Sequence, residues 1–402
     1  MLFKLFLFFL LPLLLWGTEH ATTDAESLTD RQNFRGDVQL FTYDINLPGS
    51  EYDAYATALG GRLGYKTLLY YLFGIELEYA GSNAIGYTEN PELLLLFNDD
   101  KPSVYLNTLS QGNLYYQDQT TYFRLGAQTF NTPLLNEDPT RIVPWSATGA
   151  SIVYSGIDKL TMTAAAIYTI RANTSSVYRK ESASGPIEKG LYFIGGSYDF
   201  TNEHWAQAYY YLAPDLYNSL YLQYEYRRTV TENTLFCAGV QYIRTYTNGG
   251  SDSLANTTSP LGGDDVNLAA FKVSVNYNDL DVQLSYSKNW GQSGISSGYG
   301  GLSKVYTSSM VANGRKNNRP ETWSLKSAYD IFNSPKYGTT EAAIWLTKTD
   351  YADIPTGDFF SVYAHLLHHF GVNTSAYLRY EKINYDGQND ANFIRLILKQ
   401  QF

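Results

Sequence analysis

Alternation of apolar and polar residues with a period of two is the feature that most constrains this chain. In residues 219–227, SLYLQYEYR, the even positions carry only Leu and Tyr, and the odd positions include Gln223, Glu225 and Arg227. The pattern recurs in 73–79, 268–277 and 280–289. Successive side chains of a β-strand point to opposite faces. The pattern therefore predicts an all-β protein whose strands have one apolar and one polar face.

The same pattern divides the chain beyond residue 32 into about 18 strands, an even number typical of bacterial outer-membrane barrels. The predicted spans are 33–45, 54–67, 70–80, 104–117, 120–130, 147–156, 160–172, 190–200, 204–213, 217–229, 234–248, 265–278, 280–290, 321–332, 338–350, 358–369, 373–384 and 391–402. Longer loops are expected at 81–103, 131–146, 173–189, 249–264 and 291–320. The last loop is rich in Gly and Ser, which is typical of a flexible segment.

Two architectures accommodate such strands. A soluble sandwich or barrel turns its apolar face inward, whereas a transmembrane antiparallel β-barrel turns it outward and keeps a polar lumen. Charged residues in mid-strand, an alternation of short turns with long loops, and aromatic residues near strand ends favour the membrane barrel. These aromatic residues are Tyr209, Tyr210, Tyr211, Trp290, Tyr299 and Trp323.

The N-terminus reads MLFKLFLFFLLPLLLWG over residues 1–17. Its apolar run follows Lys4 and is shorter than the roughly 20 residues that a membrane-spanning helix needs. It is typical of a secretory signal peptide, and a membrane anchor is the alternative. Cleavage is expected near Gly17 or Ala21, so that residues 33–402 form the barrel domain of an exported protein.

Charge and composition exclude several other classes of protein. A formal net charge of −10 disfavours nucleic acid as a partner, because phosphate binding requires clustered Lys and Arg. A single Cys excludes an internal disulfide framework and any multi-Cys metal site. The five His have no recognisable Ser partner, and no G-x-S-x-G motif is present, so neither an enzyme nor a cofactor or metal site is expected.

The last strand reads NFIRLILKQQF, in which Ile394, Leu396, Leu398 and Phe402 share the outward parity. An alternating last strand that ends on Phe resembles the signal that the barrel-assembly machinery reads in bacterial outer-membrane proteins. The resemblance implies that Phe402 is part of an assembly signal.

Three stretches resemble the OprD-type outer-membrane porins. In residues 124–146, RLGAQTFNTPLLNEDPTRIVPWS, the matching positions are Gly126, Pro133, Asn136 to Asp138, Arg141 and Pro144. Residues 58–66 are similar to the family's second strand, and residues 205–224 resemble its ninth and tenth strands. The resemblance implies an 18-stranded channel in the outer membrane whose third loop folds into the lumen.

Selectivity of such a channel depends on the charges at its narrowest point. The expected constriction residues are Glu137, Asp138 and Arg141. Strand parity places further cations on the lumen wall, namely Arg62, Lys66, Arg124, Arg227, Lys272, Arg379 and Arg395. It places carboxylates there as well, namely Asp37, Glu76, Glu78, Glu225, Asp281 and Glu381. Arginines opposite carboxylates would create a transverse field that orients zwitterions and small carboxylates.

The function expected from these features is passive diffusion of small hydrophilic solutes, such as ions, amino acids and small carboxylates. A structural or adhesive barrel that acts through its external loops is the alternative. A hydrophobic-solute transporter would need an apolar lumen and a larger plug than residues 18–32 provide. The expected partners are outer-membrane lipid and lipopolysaccharide, the solutes and the assembly machinery. The solute, the ionic preference and the choice between monomer and homotrimer stay open.

Overall fold

The structure, a computed structural model, describes residues 34–47, 53–67, 69–97, 104–183, 185–214, 216–247, 265–291, 298–302, 304–311, 319–352, 358–387 and 389–402. The predicted signal peptide, residues 1–17, lies outside the described residues.

Strands account for most of the described chain. They are β1 Phe34–Asn46, β2 Ala54–Lys66, β3 Phe73–Glu89, β4 Tyr105–Gln117, β5 Thr121–Gln128, β6 Ser146–Ile157, β7 Leu160–Arg171, β8 Glu181–Ser182, β9 Gly185–Pro186, β10 Leu191–Asp199, β11 His204–Ala213, β12 Tyr217–Thr231, β13 Thr234–Thr247, β14 Asp265–Tyr277, β15 Leu280–Asn289, β16 Pro320–Ser334, β17 Gly338–Tyr351, β18 Phe359–His369, β19 Thr374–Tyr385 and β20 Ala391–Gln401. One short 3-10 helix spans Pro91–Leu94, and no helix among the described residues is long and apolar enough to cross a membrane.

The sheet closes on itself. Within the described ranges, eighteen strands form one antiparallel sheet, and β8 and β9 form a separate two-stranded ladder. The last strand pairs with the first, with Leu398 opposite Leu40. Beyond β20, the backbone of Phe402 exchanges two hydrogen bonds with Gly36, at N···O distances of 2.9 and 3.0 Å. This closed barrel confirms the predicted fold.

The two faces of the barrel differ as the alternation predicts. On the last strand, Ile394 and Leu396 are 42% and 37% exposed, whereas Arg395 between them is 2% exposed. Asp37 and Glu225 are likewise buried on the inside. A soluble barrel would show the reverse arrangement, so the apolar outer face supports the membrane barrel over the soluble alternative.

Two sequence-based expectations need correction. The third strand begins at Phe73 rather than at residue 70, because Tyr71 and Leu72 adopt left-handed backbone angles (φ 47° and 70°) that end regular strand geometry. That strand runs on to Glu89, through much of the predicted loop 81–103.

The aromatic residues near strand ends also divide differently from the expectation. Trp290 and Trp323 are exposed on the outer side, at 53% and 48%. Tyr211 and Tyr299 are fully buried and stack on each other inside the lumen, with ring centroids 5.3 Å apart. These two tyrosines therefore support the interior of the channel and do not belong to an aromatic girdle.

Candidate functional site: a constriction formed by inward-folded loops

The third loop at one end of the barrel (loop 3), residues 129–145 between β5 and β6, folds into the barrel. Leu134 and Leu135 are buried in an apolar cluster with wall residues such as Tyr211. Ile142 is buried in a second cluster that contains Phe41 of β1. Because these side chains bury apolar surface against inward-facing wall residues, packing holds the loop inside the lumen.

The seventh loop at the same end of the barrel (loop 7) spans residues 290–319, and its described residues lie beside loop 3. Leu135 and Gly300 form a parallel β-bridge, and the Asn136 amide N–H donates to the carbonyl of Gly300 at 3.0 Å. The Asn136 side chain donates to the Leu302 carbonyl and accepts from the Leu302 amide at 3.0 Å. The two loops therefore form one hydrogen-bonded unit.

Wall side chains fix the seventh loop along much of its described length. The Tyr217 hydroxyl donates to the Gly298 carbonyl at 3.0 Å, and Lys326 Nζ donates to the Ser308 carbonyl at 2.7 Å. Gln241 donates to the Lys304 carbonyl and accepts from the Tyr306 amide. The described parts of this loop are thus well anchored, contrary to the flexibility that its Gly and Ser content suggested.

Arg62 connects the third loop to the wall. Its Nε donates to Asp37 Oδ2 at 3.1 Å, and its NH1 group donates to Glu137 Oε2 at the same distance. Lys399 Nζ lies 3.6 Å from the same Asp37 carboxylate. Glu137 retains 37% side-chain exposure, so its carboxylate both holds the loop and faces the lumen.

Asp138 has a different position from its neighbour. It is 6% exposed, and its carboxylate accepts hydrogen bonds from the Thr140 amide, the Thr140 hydroxyl and the Asn173 side chain. Its backbone is left-handed, with φ of 55°. Asp138 therefore shapes the inside of the loop and points away from the channel.

Two arginines lie next to Tyr43 of β1, and a third is opposite one of them in the sheet. The Arg395 guanidinium lies over the Tyr43 ring at 4.3 Å and donates to its hydroxyl at 2.8 Å. The Arg141 guanidinium is 5.9 Å from the same ring centroid. Arg379 is directly opposite Arg395 on the neighbouring strand. Arg141 Nε, Arg395 Nε and Arg395 NH1 are buried and have no hydrogen-bond acceptor among the described residues.

The remaining predicted wall cations also face inward. Lys66 Nζ lies 4.4 Å from the centre of the Tyr115 ring, and Arg124 donates to the Thr129 carbonyl at 3.2 Å. Arg227 and Lys272 both pair with the buried carboxylate of Glu225, at 2.6 and 2.7 Å. These last two charges are therefore largely compensated within the wall.

The sequence reasoning missed Lys304 in the seventh loop. Its Nζ donates to Asn131 Oδ1 at 2.7 Å and so joins the two inward loops. Burial lowers the pKa of Lys304, and the nearby Glu137 carboxylate opposes that shift. A basic residue directly before Val305 and Tyr306, within a Gly- and Ser-rich loop, was the available signal.

No group of three or more His, Cys, Asp or Glu side chains that could hold a metal ion occurs in the described part of the chain. His365 faces the lumen, where its Nε2 is 2.7 Å from Glu341 Oε1. His368, on the opposite face of the same strand, is hydrogen-bonded to Thr340 at 2.7 Å.

Comparison with known proteins gives consistent results. The model of the outer membrane porin, OprD family, matches residues 73–338. No curated protein matches the sequence. Among solved structures, Pseudomonas aeruginosa OpdK with vanillate and Acinetobacter baumannii OccAB3 each superimpose with a TM-score of 0.78 at 16% identity. Pseudomonas aeruginosa OccK9 (OpdG) superimposes with a TM-score of 0.80 at 15% identity. Each comparison covers 92% of this chain and 98% of the other.

The family match covers more than half of the chain, and the closed barrel with its inward third loop agrees with it. Such porins are channels of the outer membrane and not enzymes. The chain belongs to the OprD family of outer membrane porins.

Proposed function

We propose that this porin passes small hydrophilic anions, above all small carboxylates and amino acids, by passive diffusion through the constriction between loops 3 and 7 and the β19–β20–β1 wall. The observation that carries the proposal is a group of three arginines. Arg141 and Arg395 lie next to Tyr43, and Arg379 is directly opposite Arg395 in the sheet. Of the nearby carboxylates, Asp37 and Glu137 are occupied by Arg62.

The unpaired guanidinium N–H groups strengthen this proposal. A buried charged donor without a protein acceptor is costly, by roughly 1–3 kcal/mol or more, and no acceptor within the wall offsets its positive field in the lumen. Carboxylates match a guanidinium geometrically because they accept two parallel hydrogen bonds. Arg141 is half-buried and offers direct contact, whereas the more deeply buried Arg379 and Arg395 act through their field.

A carboxylate across the lumen from basic wall residues favours zwitterions among the solutes. Asp281 is on β15, seven strand positions around the eighteen-stranded barrel from β2, which carries Arg62 and Lys66. The resulting transverse field would orient an amino acid with its carboxylate toward the arginines. The similar Pseudomonas aeruginosa OpdK was solved with vanillate, a small organic carboxylate.

The test is liposome swelling with a panel of amino acids, carboxylates and sugars of similar size. The wild type should admit carboxylates faster than neutral sugars, and Arg141→Gln combined with Arg379→Gln should remove most of that preference. Lys348→Gln is the matched control, because Lys348 is a surface cation that pairs with Asp350 at the outer end of β17. Equal rates for carboxylates and sugars in the wild type would refute the proposal.

We also propose that Phe402 acts in assembly and that the outer face contacts outer-membrane lipid and lipopolysaccharide. The Phe402 ring is 46% exposed at the seam where the last residue meets Gly36. This position at the end of the closing strand supports a role in recognition before closure.

A further inference from the structure

We propose that His365 and Tyr363 are positioning residues for Arg379, and that they make the anion preference of the channel increase on acidification. The inference rests on the proposed function, because it concerns one of the arginines that give the constriction its positive charge. It adds a hydrogen-bonded relay that runs along the wall from β17 to β19.

The relay joins three neighbouring strands. Glu341 Oε1 of β17 is 2.7 Å from His365 Nε2 of β18. His365 Nδ1 is 2.9 Å from the hydroxyl of Tyr363, two residues earlier on the same strand. Arg379 of β19 donates from Nε to that same hydroxyl oxygen at 3.0 Å. A continuous chain of hydrogen bonds therefore connects a half-exposed carboxylate to a buried guanidinium.

One tautomer of neutral histidine satisfies every group in this chain. The Nε2–H of His365 donates to Glu341, and its Nδ1 accepts the Tyr363 hydroxyl proton. The Tyr363 oxygen is then free to accept the Nε–H of Arg379. The neutral imidazole thus fixes the direction of the Tyr363 hydroxyl, and through it the position of Arg379.

Protonation of His365 changes both the geometry and the charge of this relay. The imidazolium donates from both nitrogens, so the Tyr363 hydroxyl must turn its proton away from Nδ1. The Tyr377 hydroxyl, 3.2 Å from the Tyr363 oxygen, is the available acceptor. A new positive charge then lies next to Arg379, which is directly opposite His365 in the sheet register.

The groups around His365 come from each neighbouring strand. Burial and the like charge of Arg379 oppose the imidazolium, whereas the hydrogen-bonded Glu341 carboxylate favours it. The Trp345 ring of β17 lies edge-on to the imidazole, with 6.0 Å between the ring centroids. Lys326 Nζ lies over the same Trp345 ring, 4.7 Å from its centroid. The His365 side chain is 5% exposed and Glu341 is 39% exposed, so protons reach the imidazole from the Glu341 side.

The test measures the ratio of anion to cation permeability from the reversal potential in a salt gradient, between pH 8 and pH 5. A new unit charge about 10 Å from the ion path, in a medium of effective dielectric constant about 80, changes the local anion concentration about twofold. The wild type should show this rise on acidification, and His365→Gln should abolish it. His368→Gln, which alters a histidine on the opposite face, should keep the wild-type profile.

A second variant guards against a folding defect in His365→Gln. Glu341→Gln removes the carboxylate that favours the imidazolium, so the rise should persist with its midpoint at lower pH. Tyr363→Phe should lower the anion preference at pH 8, because Arg379 loses its hydroxyl acceptor. An unchanged pH profile in both His365→Gln and Glu341→Gln would overturn the relay. A wild type without anion preference at pH 8, but with a rise that needs His365, would contradict the proposed function and support the relay.

Discussion

Replacement of Glu137 by Gln tests the electrostatics of the constriction most locally. The change removes a carboxylate that faces the lumen and releases one of the two carboxylate partners of Arg62. The loop should stay in place, because an ion pair with side-chain exposures of 25% and 37% contributes at most about 1 kcal/mol. The apolar contacts of Leu134, Leu135 and Ile142 are unaffected.

The effect on ions follows from Coulomb's law. A unit charge about 8 Å from the ion path, in water-like surroundings, contributes about 0.5 kcal/mol, or about 2.3-fold in the local concentration of each ion sign. Anions gain and cations lose, so the permeability ratio should shift about fivefold toward anions at low salt. The shift should shrink near 1 M salt, where the Debye length is about 3 Å.

The assay is the reversal potential of single channels in a planar bilayer, measured in a salt gradient at low and at high ionic strength. Glu188→Gln is the matched control, since Glu188 belongs to the loop between β7 and β10 and its side chain is 70% exposed. An unchanged permeability ratio in Glu137→Gln at low salt would refute the placement of the constriction beside Glu137.

Three further predictions address the loops, assembly and a turn. Asn136→Ala removes the side-chain hydrogen bonds between loops 3 and 7, so single-channel conductance and current noise should both increase. Equal conductance in wild type and variant would show that other contacts hold the two loops together. Deletion of Phe402 should lower the amount of assembled protein in the outer membrane without altering the conductance of channels that do assemble, and normal assembly would contradict the signal role. Hydrogen bonds from the Thr120 amide, the Tyr116 hydroxyl and the Thr121 amide lower the pKa of Asp118 to about 2. Its contribution to stability should therefore be present above about pH 4, the ordinary Asp value, and be lost as the pH falls toward 2. The gap in heat resistance between wild type and Asp118→Ala, followed by gel mobility, should close over that range, and a gap that persists at pH 2 would contradict this role.

The barrel itself was predictable because the alternation of residues along a membrane strand reflects the lipid on one face and the water on the other. Lipid-facing positions are apolar and lumen-facing positions are free to be polar. The sequence alone therefore predicts that Leu396 faces outward and Arg395 inward. The inward third loop came from the family resemblance around Pro133 and Arg141, and packing of Leu134 and Leu135 now gives its physical reason.

The roles of individual residues inside the lumen were less predictable, because they depend on contacts between segments far apart in sequence. Glu137 and Asp138 are adjacent and chemically alike, yet one faces Arg62 and the other is enclosed by Thr140 and Asn173. Tyr299 looked like an interfacial aromatic, but it stacks on Tyr211 inside the barrel. Strand parity predicts whether a strand residue faces lipid or lumen. It does not predict which wall residues an inward-folded loop will contact.

Single-channel recording of the purified protein in a planar bilayer tests the central claim most directly. With a carboxylate salt on one side and a salt of the same cation with a large excluded anion on the other, the current should flow in discrete steps. Its reversal potential should show carboxylate permeation in the wild type and a strong loss of it after replacement of Arg141 and Arg379 by Gln. Absence of discrete steps, or a reversal potential set by the cation alone in the wild type, would contradict an anion-passing constriction.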